Sequence, residues 1–424
     1  MLRKVRSQWA GERALFHALP RNAKILLATS TLYVFASPVF SIFVAAYIMR
    51  NSQDVAKVMT FQLATYTAVP LVFYLNGFLL RRLPASALYA LGLLLSGVAL
   101  FAITSLPVLS LPAIIGAGLM LGAATGFHWA NRNLLSLACT HDGFRNYYFG
   151  IESFFSCVSF VAMPTAVGLF ITACGNGASD GANMAYRAIA GVVLALALSA
   201  SYVVSRGAFN LPPAPMRVRM RFDRVWCQLL LLAGLKGAVQ VFQSALPAML
   251  IMRQLGGREN TLGMIQSAGA LAAAALMYVT GRNMKPRHRL GVYATALLLY
   301  AFGAGLNTVF FNTVSVLVLL VCLLVSQPLA ELAFSPIQLQ VLDRAVARDP
   351  ESGYAHLCAF EVALYVGRVL GSGAFILVAQ AFSGDTALRY VLSVLALIQL
   401  FSLPLARAVV ANLRSVDFGI EGPA

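Results

Sequence analysis

The sequence predicts an all-α membrane protein of twelve transmembrane helices in two six-helix halves, and three observations carry that prediction. First, 59% of its 424 residues are hydrophobic and 11% are charged, whereas a soluble domain carries about a quarter charged residues. Second, apolar runs of about 20 residues, the length that crosses a bilayer as a helix, recur from Ala23 almost to the C-terminus. Third, a stretch rich in proline and arginine, RGAFNLPPAPMRVRMRFDR at 206–224, interrupts those runs at the middle of the chain.

Reading the runs between charge and Pro/Gly breaks gives first-half spans at about 24–50, 54–80, 85–106, 110–137, 146–173 and 186–205. The second half gives about 225–252, 260–281, 288–309, 313–340, 353–380 and 387–412. The domain organisation that follows is a six-helix bundle over 1–205, a cytoplasmic linker over 206–224 and a second bundle over 225–424. The prolines of the linker stop any helix, and Arg217, Arg219, Arg221 and Arg224 read as anchors of a solvated connection, with a regulatory or anionic-lipid contact as the competing reading.

The net charge of +16 arises from 31 Lys/Arg against 15 Asp/Glu. The bases sit in short gaps between apolar runs, as loop anchors do, and not in stripes interleaved with aromatics, so nucleic acid is not an expected partner. With the N-terminus in the cytoplasm, 22 of the 31 bases fall on that side. Six fall outside (Arg50, Lys57, Arg187, Arg253, Arg258, Arg389) and three fall within spans (Arg132, Lys236, Arg368). The positive-inside rule therefore places both termini in the cytoplasm, in an inner (plasma) membrane of bacterial type. The first 22 residues carry Arg3, Lys4, Arg6, Arg13 and Arg21 without the short apolar core and small-residue cleavage site of a signal peptide, so the first span is expected to direct insertion itself.

Familiar catalytic signals are missing. The six cysteines form no CxxC pair and have no histidine at ligand spacing, which fits small apolar residues and no metal. His141-Asp142-Gly143 reads as a turn and helix cap, and no Walker-type loop, HExxH or GxSxG occurs. Trp9, Trp129 and Trp226 read as interface anchors or cavity walls. The chain is expected to be no enzyme and to need no cofactor.

The loop after the second span reads GFLLRRLPAS and the corresponding loop of the second half GRNMKPRHR. Together with the six-plus-six layout, these resemble the major facilitator superfamily, whose loop pattern is G-x-x-x-D-R-x-G-R-K/R. Gly77 and Arg82 match, with Arg81 in place of the acid, Pro84 of the second glycine and Ala85 of the next arginine. Gly281 and Arg289 match in the second copy, with Lys285 in place of the acid. On the fifth span, Gly150, Ser159, Pro164 and Gly168 partly follow the family's antiporter pattern, which Met163 and Val167 break. The resemblance implies a secondary transporter that works by alternating access on a small-molecule substrate, as a monomer among membrane lipids, with a lean to export. The alternative is a non-transporting sensor or assembly partner of the same fold, in which the loop motifs have decayed.

Six charges lie inside predicted spans: Arg132, Glu152, Lys236, Glu331, Glu361 and Arg368. A charge at the bilayer centre costs about 2.5–3.5 kcal/mol on insertion scales, so three acids and three bases suit either structural ion pairs or a polar working site. On the fourth span His128, Asn131 and Arg132 share one helical face, and Arg132 and Glu152 each lie ten residues from Asp142, at similar depth. A cross-helix pair between them is feasible, as a strut or as part of a site. On the seventh span Lys236, Gln240 and Gln243 form a polar stripe near mid-membrane, where substrate sites are expected. Gln327, Glu331 and Gln338 keep one face of the tenth span, and Glu361 and Arg368 lie two turns apart on the eleventh. Glu331 is the first candidate for carrying a coupling proton and Glu361 the second, with Glu152 also a candidate; the competing reading makes Glu331 the neutraliser of Lys236 or Arg368.

In the superfamily the first, fourth, seventh and tenth helices line a central cavity. By that resemblance His128, Asn131, Arg132, Lys236, Gln240, Gln243 and Gln327 would face it and bind substrate, joined by Tyr33, Ser37 and Ser41 of the first span, with Pro38 as a bend. Two or three cations around one cavity favour a substrate with an anionic group.

Overall fold

The structure, a computed structural model, describes residues 16–140, 142–175, 179–207, 209, 222–348 and 353–417. Within them, the apolar runs become twelve helices long and apolar enough to cross a membrane, and the protein is an integral, multi-pass membrane protein. The reason is that each backbone N–H and C=O in lipid must find a partner within its own segment, which a helix supplies. The first six are α1 (Arg21–Ser52), α2 (Val55–Leu79), α3 (Ala85–Ser105), α4 (Leu111–Cys139), α5 (Asp142–Cys174) and α6 (Ser179–Ser205). The second six are α7 (Arg224–Gln254), α8 (Glu259–Asn283), α9 (Arg289–Phe310), α10 (Thr313–Arg348), α11 (Gly353–Ala381) and α12 (Gly384–Leu413). Twelve crossings put both described ends on one face, called here the terminal side; the opposite face is the far side.

Several helices run past the apolar runs that announced them, because polar residues continue a helix once it leaves the hydrocarbon. The clearest case is α10, expected to end near 340, which continues to Arg348. Its last turns carry Arg344 and Arg348 to Asp223, at 3.7 and 2.7 Å. Asp223 also caps α7, accepting from the Trp226 N–H at 2.8 Å, which ties the start of one helix to the end of another. Arg217, Arg219 and Arg221 of the linker, and His141, lie outside the described residues.

The two sixes meet chiefly at the far side. Residues 42–49 of α1 and 245–252 of α7 are buried on every face, as helices are when protein surrounds them. There one apolar core runs through both sixes, from Phe43 and Met49 to Leu246 and Leu250. On the terminal side the cores separate: Trp226, Leu229, Tyr293 and Phe334 belong to a cluster drawn from the second six alone. Val72, Leu88 and Phe127 form a cluster of the first six alone.

Polar contacts reinforce the far-side seam. Arg50 pairs with Glu259 at 2.7 Å, Tyr186 donates to Glu259 at 3.4 Å, and the Asn260 N–H donates to Thr172 Oγ1 at 3.1 Å. Here α5 and α8 touch backbone to backbone: a Cβ on Gly168 would fall 2.4 Å from Glu259 O, and one on Gly263 2.2 Å from Pro164 O. Gly168 and Pro164 of the antiporter-like pattern thus sit at a helix contact, whereas Gly150 has open space around its Cβ position.

Glycine also sets the closest approach within the second six. A Cβ on Gly367 would lie 1.8 Å from Gly234 O, and one on Gly371 2.2 Å from Ala238 O, so α11 lies directly on α7. Gly367→Val should therefore destabilise the detergent-solubilised protein by about 1–3 kcal/mol, because neither backbone can retreat. Gly150→Ala should leave the melting temperature unchanged or slightly raised; equal losses from the two changes would contradict the helix contact.

Candidate functional site

Between the two sixes lies a cavity of about 460 Å³, within the usual size range for small-molecule sites. Its polar lining comes from Ser41 on α1, Gln240, Gln243 and Ser244 on α7, Gln266 on α8, and Gln327 and Glu331 on α10. Tyr66 of α2 and Phe160 of α5 supply aromatic walls. The cavity reaches Met277, near the terminal end of α8. Toward the far side it stops at the seam described above.

Local structure explains how α1 contributes. Pro38 is followed by a wide π-helical turn at Val39–Phe43, and such turns re-aim side chains within a helix. Ser41 sits in this turn, and its hydroxyl is buried with no hydrogen-bond partner among the described residues, as is that of Ser244 on α7.

Each intramembrane base meets an acid. Lys236 Nζ lies 2.8 Å from Glu331 Oε1 and 2.9 Å from Oε2, and 4.4 Å from the centre of the Phe334 ring. Lys236 is twelve residues past Arg224, about 18 Å along the 31-residue α7 at 1.5 Å per residue. The pair is unequally covered: the Lys236 side chain is 16% exposed and that of Glu331 34%. The carboxylate therefore stands at the cavity and the ammonium behind it. Two turns along α7 and one along α10, Gln327 Nε2 donates to Gln243 Oε1 at 3.1 Å.

Arg368 lies between Gly367 and Gly371, where α11 touches α7. Its guanidinium donates to Gln240 Oε1 from Nη2 at 2.9 Å and from Nε at 3.3 Å. It is 3.6 Å from Glu361 Oε2, an ion-pair distance longer than a hydrogen bond. It also stacks on Tyr66, 4.4 Å from the ring centre.

The third pair is closed off. Arg132 donates to Glu152 Oε1 from Nε at 3.0 Å and to Oε2 from Nη2, and Ser30 of α1 donates to the same carboxylate. Arg132 also faces the rings of Trp129 and Phe149. The Arg132 and Glu152 side chains are 13% and 9% exposed.

The fourth span requires a correction. His128 and Asn131 do not line the cavity; both turn into the packing among α1, α2, α3 and α4. His128 is 1% exposed and stacks on Tyr33 with ring centres 3.5 Å apart. Asn131 is fully buried and donates to Asn76 Oδ1 at 2.7 Å. Arg132 follows the same face into its pair with Glu152. The residues do share a face, and that face meets neighbouring helices. Ser37 hydrogen-bonds back to Val34 O at 2.8 Å. Trp226 is core, 2% exposed and packed edge-on against His356.

Sequence reasoning passed over Gln266, Tyr66 and the Arg50–Glu259 pair. Gln266 carried a usable signal, a glutamine within an apolar span, the same kind that singled out Gln327. Among the described residues no cluster of three metal-ligating side chains occurs, and the six cysteines are free.

Comparison with known proteins agrees with the architecture. No family profile matches the chain. The uncharacterized protein YqgE of Bacillus subtilis (strain 168) is 22% identical over 383 residues, covering 87% of this chain and 85% of that protein. Among solved structures, the nucleoside transporter NupG superposes with a TM-score of 0.66 at 14% identity, over 92% of this chain and 99% of that one. A bacterial homologue of the iron transporter ferroportin in inward-facing state gives 0.68 at 14%, over 92% and 98%. A POT family transporter in complex with a thioalcohol conjugated peptide gives 0.66 at 13%, over 92% and 97%. The likeness is one of fold: the twelve-helix architecture of this chain is shared with these three structures.

The closed pair yields a direct test. Removing one partner of a buried ion pair leaves an uncompensated charge and costs about 3–5 kcal/mol, whereas removing both is milder. Arg132→Met and Glu152→Gln should each lower the melting temperature more than the double substitution does. Additive losses would show that the two side chains do not interact.

Proposed function

We propose that the chain is a secondary active transporter that moves a small organic molecule with an anionic group by alternating access of its two six-helix halves, driven by protons and directed outward. Both termini face the cytoplasm on this reading, as the distribution of basic residues supports, so the cavity faces inward. The observation that carries the proposal is the Lys236–Glu331 pair of the second six, whose carboxylate lines the cavity between the halves.

The chemistry follows from charge balance. Deprotonated Glu331 holds Lys236 and leaves no free cation for a substrate. Once Glu331 gains a proton it no longer attracts the ammonium, which is then free to hold the substrate's anionic group. Proton and substrate binding thereby become linked, each favouring the other. Glu361, 24% exposed beside Arg368, is the second acid placed to take part.

A thermal-shift screen of metabolites on purified protein supplies the substrate, and proteoliposomes supply the test. Glu331→Gln fixes the neutral form, so it should keep counterflow exchange and lose uphill transport, whereas Lys236→Gln should weaken binding about tenfold or more, the loss of about 1.4 kcal/mol or more. If Glu331→Gln still concentrates substrate with unaltered proton stoichiometry, the coupling assignment is wrong.

A further inference from the structure

The cavity's four glutamines leave open which end of each amide faces the substrate, since an amide offers a donor at one end and an acceptor at the other. At Gln240 the surroundings settle it. A guanidinium has five donors and no acceptor, so the Gln240 atom that meets Arg368 at 2.9 and 3.3 Å must be the carbonyl oxygen. Gln240 lines the cavity, and with its oxygen taken by Arg368 the NH2 is the end of the amide turned away from the guanidinium. Arg368 itself is 5% exposed and is not part of that lining.

Arg368 is confined on several sides. Gly367 and Gly371 on either side of it bring α11 into backbone contact with α7. Glu361 lies 3.6 Å from the guanidinium on its own helix, an ion-pair contact without a hydrogen bond, and Tyr66 covers it from α2. Gln240 is one helical turn from Lys236 on the same face of α7, and of that neighbourhood Gln240 and the Glu331 carboxylate line the cavity while the ammonium lies behind the carboxylate. Ser41 and Ser244 also line the cavity, with hydroxyls that are buried and without a partner among the described residues.

We propose that Arg368 is a positioning residue that holds the Gln240 amide with its N–H groups toward the cavity, making that edge a receptor for a carbonyl or carboxylate oxygen on the substrate. The inference rests on the cavity being the substrate site and adds a selectivity filter to it. The filter recognises an acceptor oxygen whether or not it is charged, and it rejects a group that only donates, because such a group would leave the Gln240 N–H groups facing another donor.

The test uses three probes of one size that differ in their polar group: benzoate, benzamide and benzylamine. Melting of the purified full-length protein is measured at rising probe concentrations, with no transport step. Wild type should be stabilised by benzoate and benzamide and not by benzylamine. Gln240→Glu still accepts from Arg368, so it should fold, but it presents no N–H groups and should lose the response to benzoate and benzamide by about tenfold in concentration. Arg368→Met combined with Glu361→Gln removes both charges and frees the amide to turn, so discrimination against benzylamine should disappear, while Arg368→Lys, still only a donor, should retain it. The proposal is overturned if wild type responds to none of the probes, ranks the three equally, prefers benzylamine, or is matched in ranking by Gln240→Glu and by the double variant. A correct ranking in a protein that transports nothing would instead remove the transport reading and leave this receptor standing.

Discussion

Charge neutralisation within the bilayer is the constraint on which the rest of this structure depends. Three bases placed among apolar helices are tolerable only if each is met by an acid, and each is: Arg132 by Glu152, Lys236 by Glu331, Arg368 by Glu361. A buried pair offsets its desolvation only through good geometry and further hydrogen bonds, and the three differ in how far they meet that standard. The Glu152 carboxylate receives Arg132 at both oxygens and Ser30 as well, and both side chains are nearly covered. It locks α1, α4 and α5 together. The Lys236–Glu331 pair leaves its acid a third exposed, at a cavity, and an acid that solvent can reach is one that protons can reach.

The asymmetry between the two faces of the molecule completes the picture. At the far side the seam between halves combines an apolar core with glycine-mediated helix contacts and the Arg50–Glu259 pair. At the terminal side the cores of the two halves are separate, and between them lies the cavity. Arg368 spans this division, since it belongs to α11, serves Gln240 on α7 and stacks on Tyr66 of α2. On the transport reading, any rocking of the halves must alter that stacking, which connects the shape of the protein to the orientation of an amide in its binding site.

The sequence made the spans legible because bilayer thickness and backbone satisfaction allow almost no other arrangement for such runs. It also made visible the stripe Lys236, Gln240, Gln243 and the face Gln327, Glu331, for helical period is written directly in residue spacing. What spacing omits is the identity of the neighbour. His128, Asn131 and Arg132 share a face as clearly as Lys236 and Gln240 do, yet that face packs on Tyr33, Asn76 and Glu152. A polar stripe that meets other helices and one that meets a cavity have the same period. Arg50 and Glu259 were hidden for another reason: each sits at a helix end, where a charge reads as a loop anchor, and only the fold brings them across the seam. Arg368 and Gln240 come from helices that only tertiary packing at Gly367 and Gly371 sets side by side.

The central claim, that a proton on Glu331 releases Lys236 for the substrate, is tested most directly by proton uptake on binding. Purified protein in weakly buffered detergent solution near neutral pH is mixed with the ligand recovered from the metabolite screen, and the pH change is read against the amount bound. The account predicts uptake of about one proton per molecule bound, as linked binding requires, and none in Glu331→Gln. Binding by the wild type without proton uptake, or equal uptake by Glu331→Gln, would contradict it.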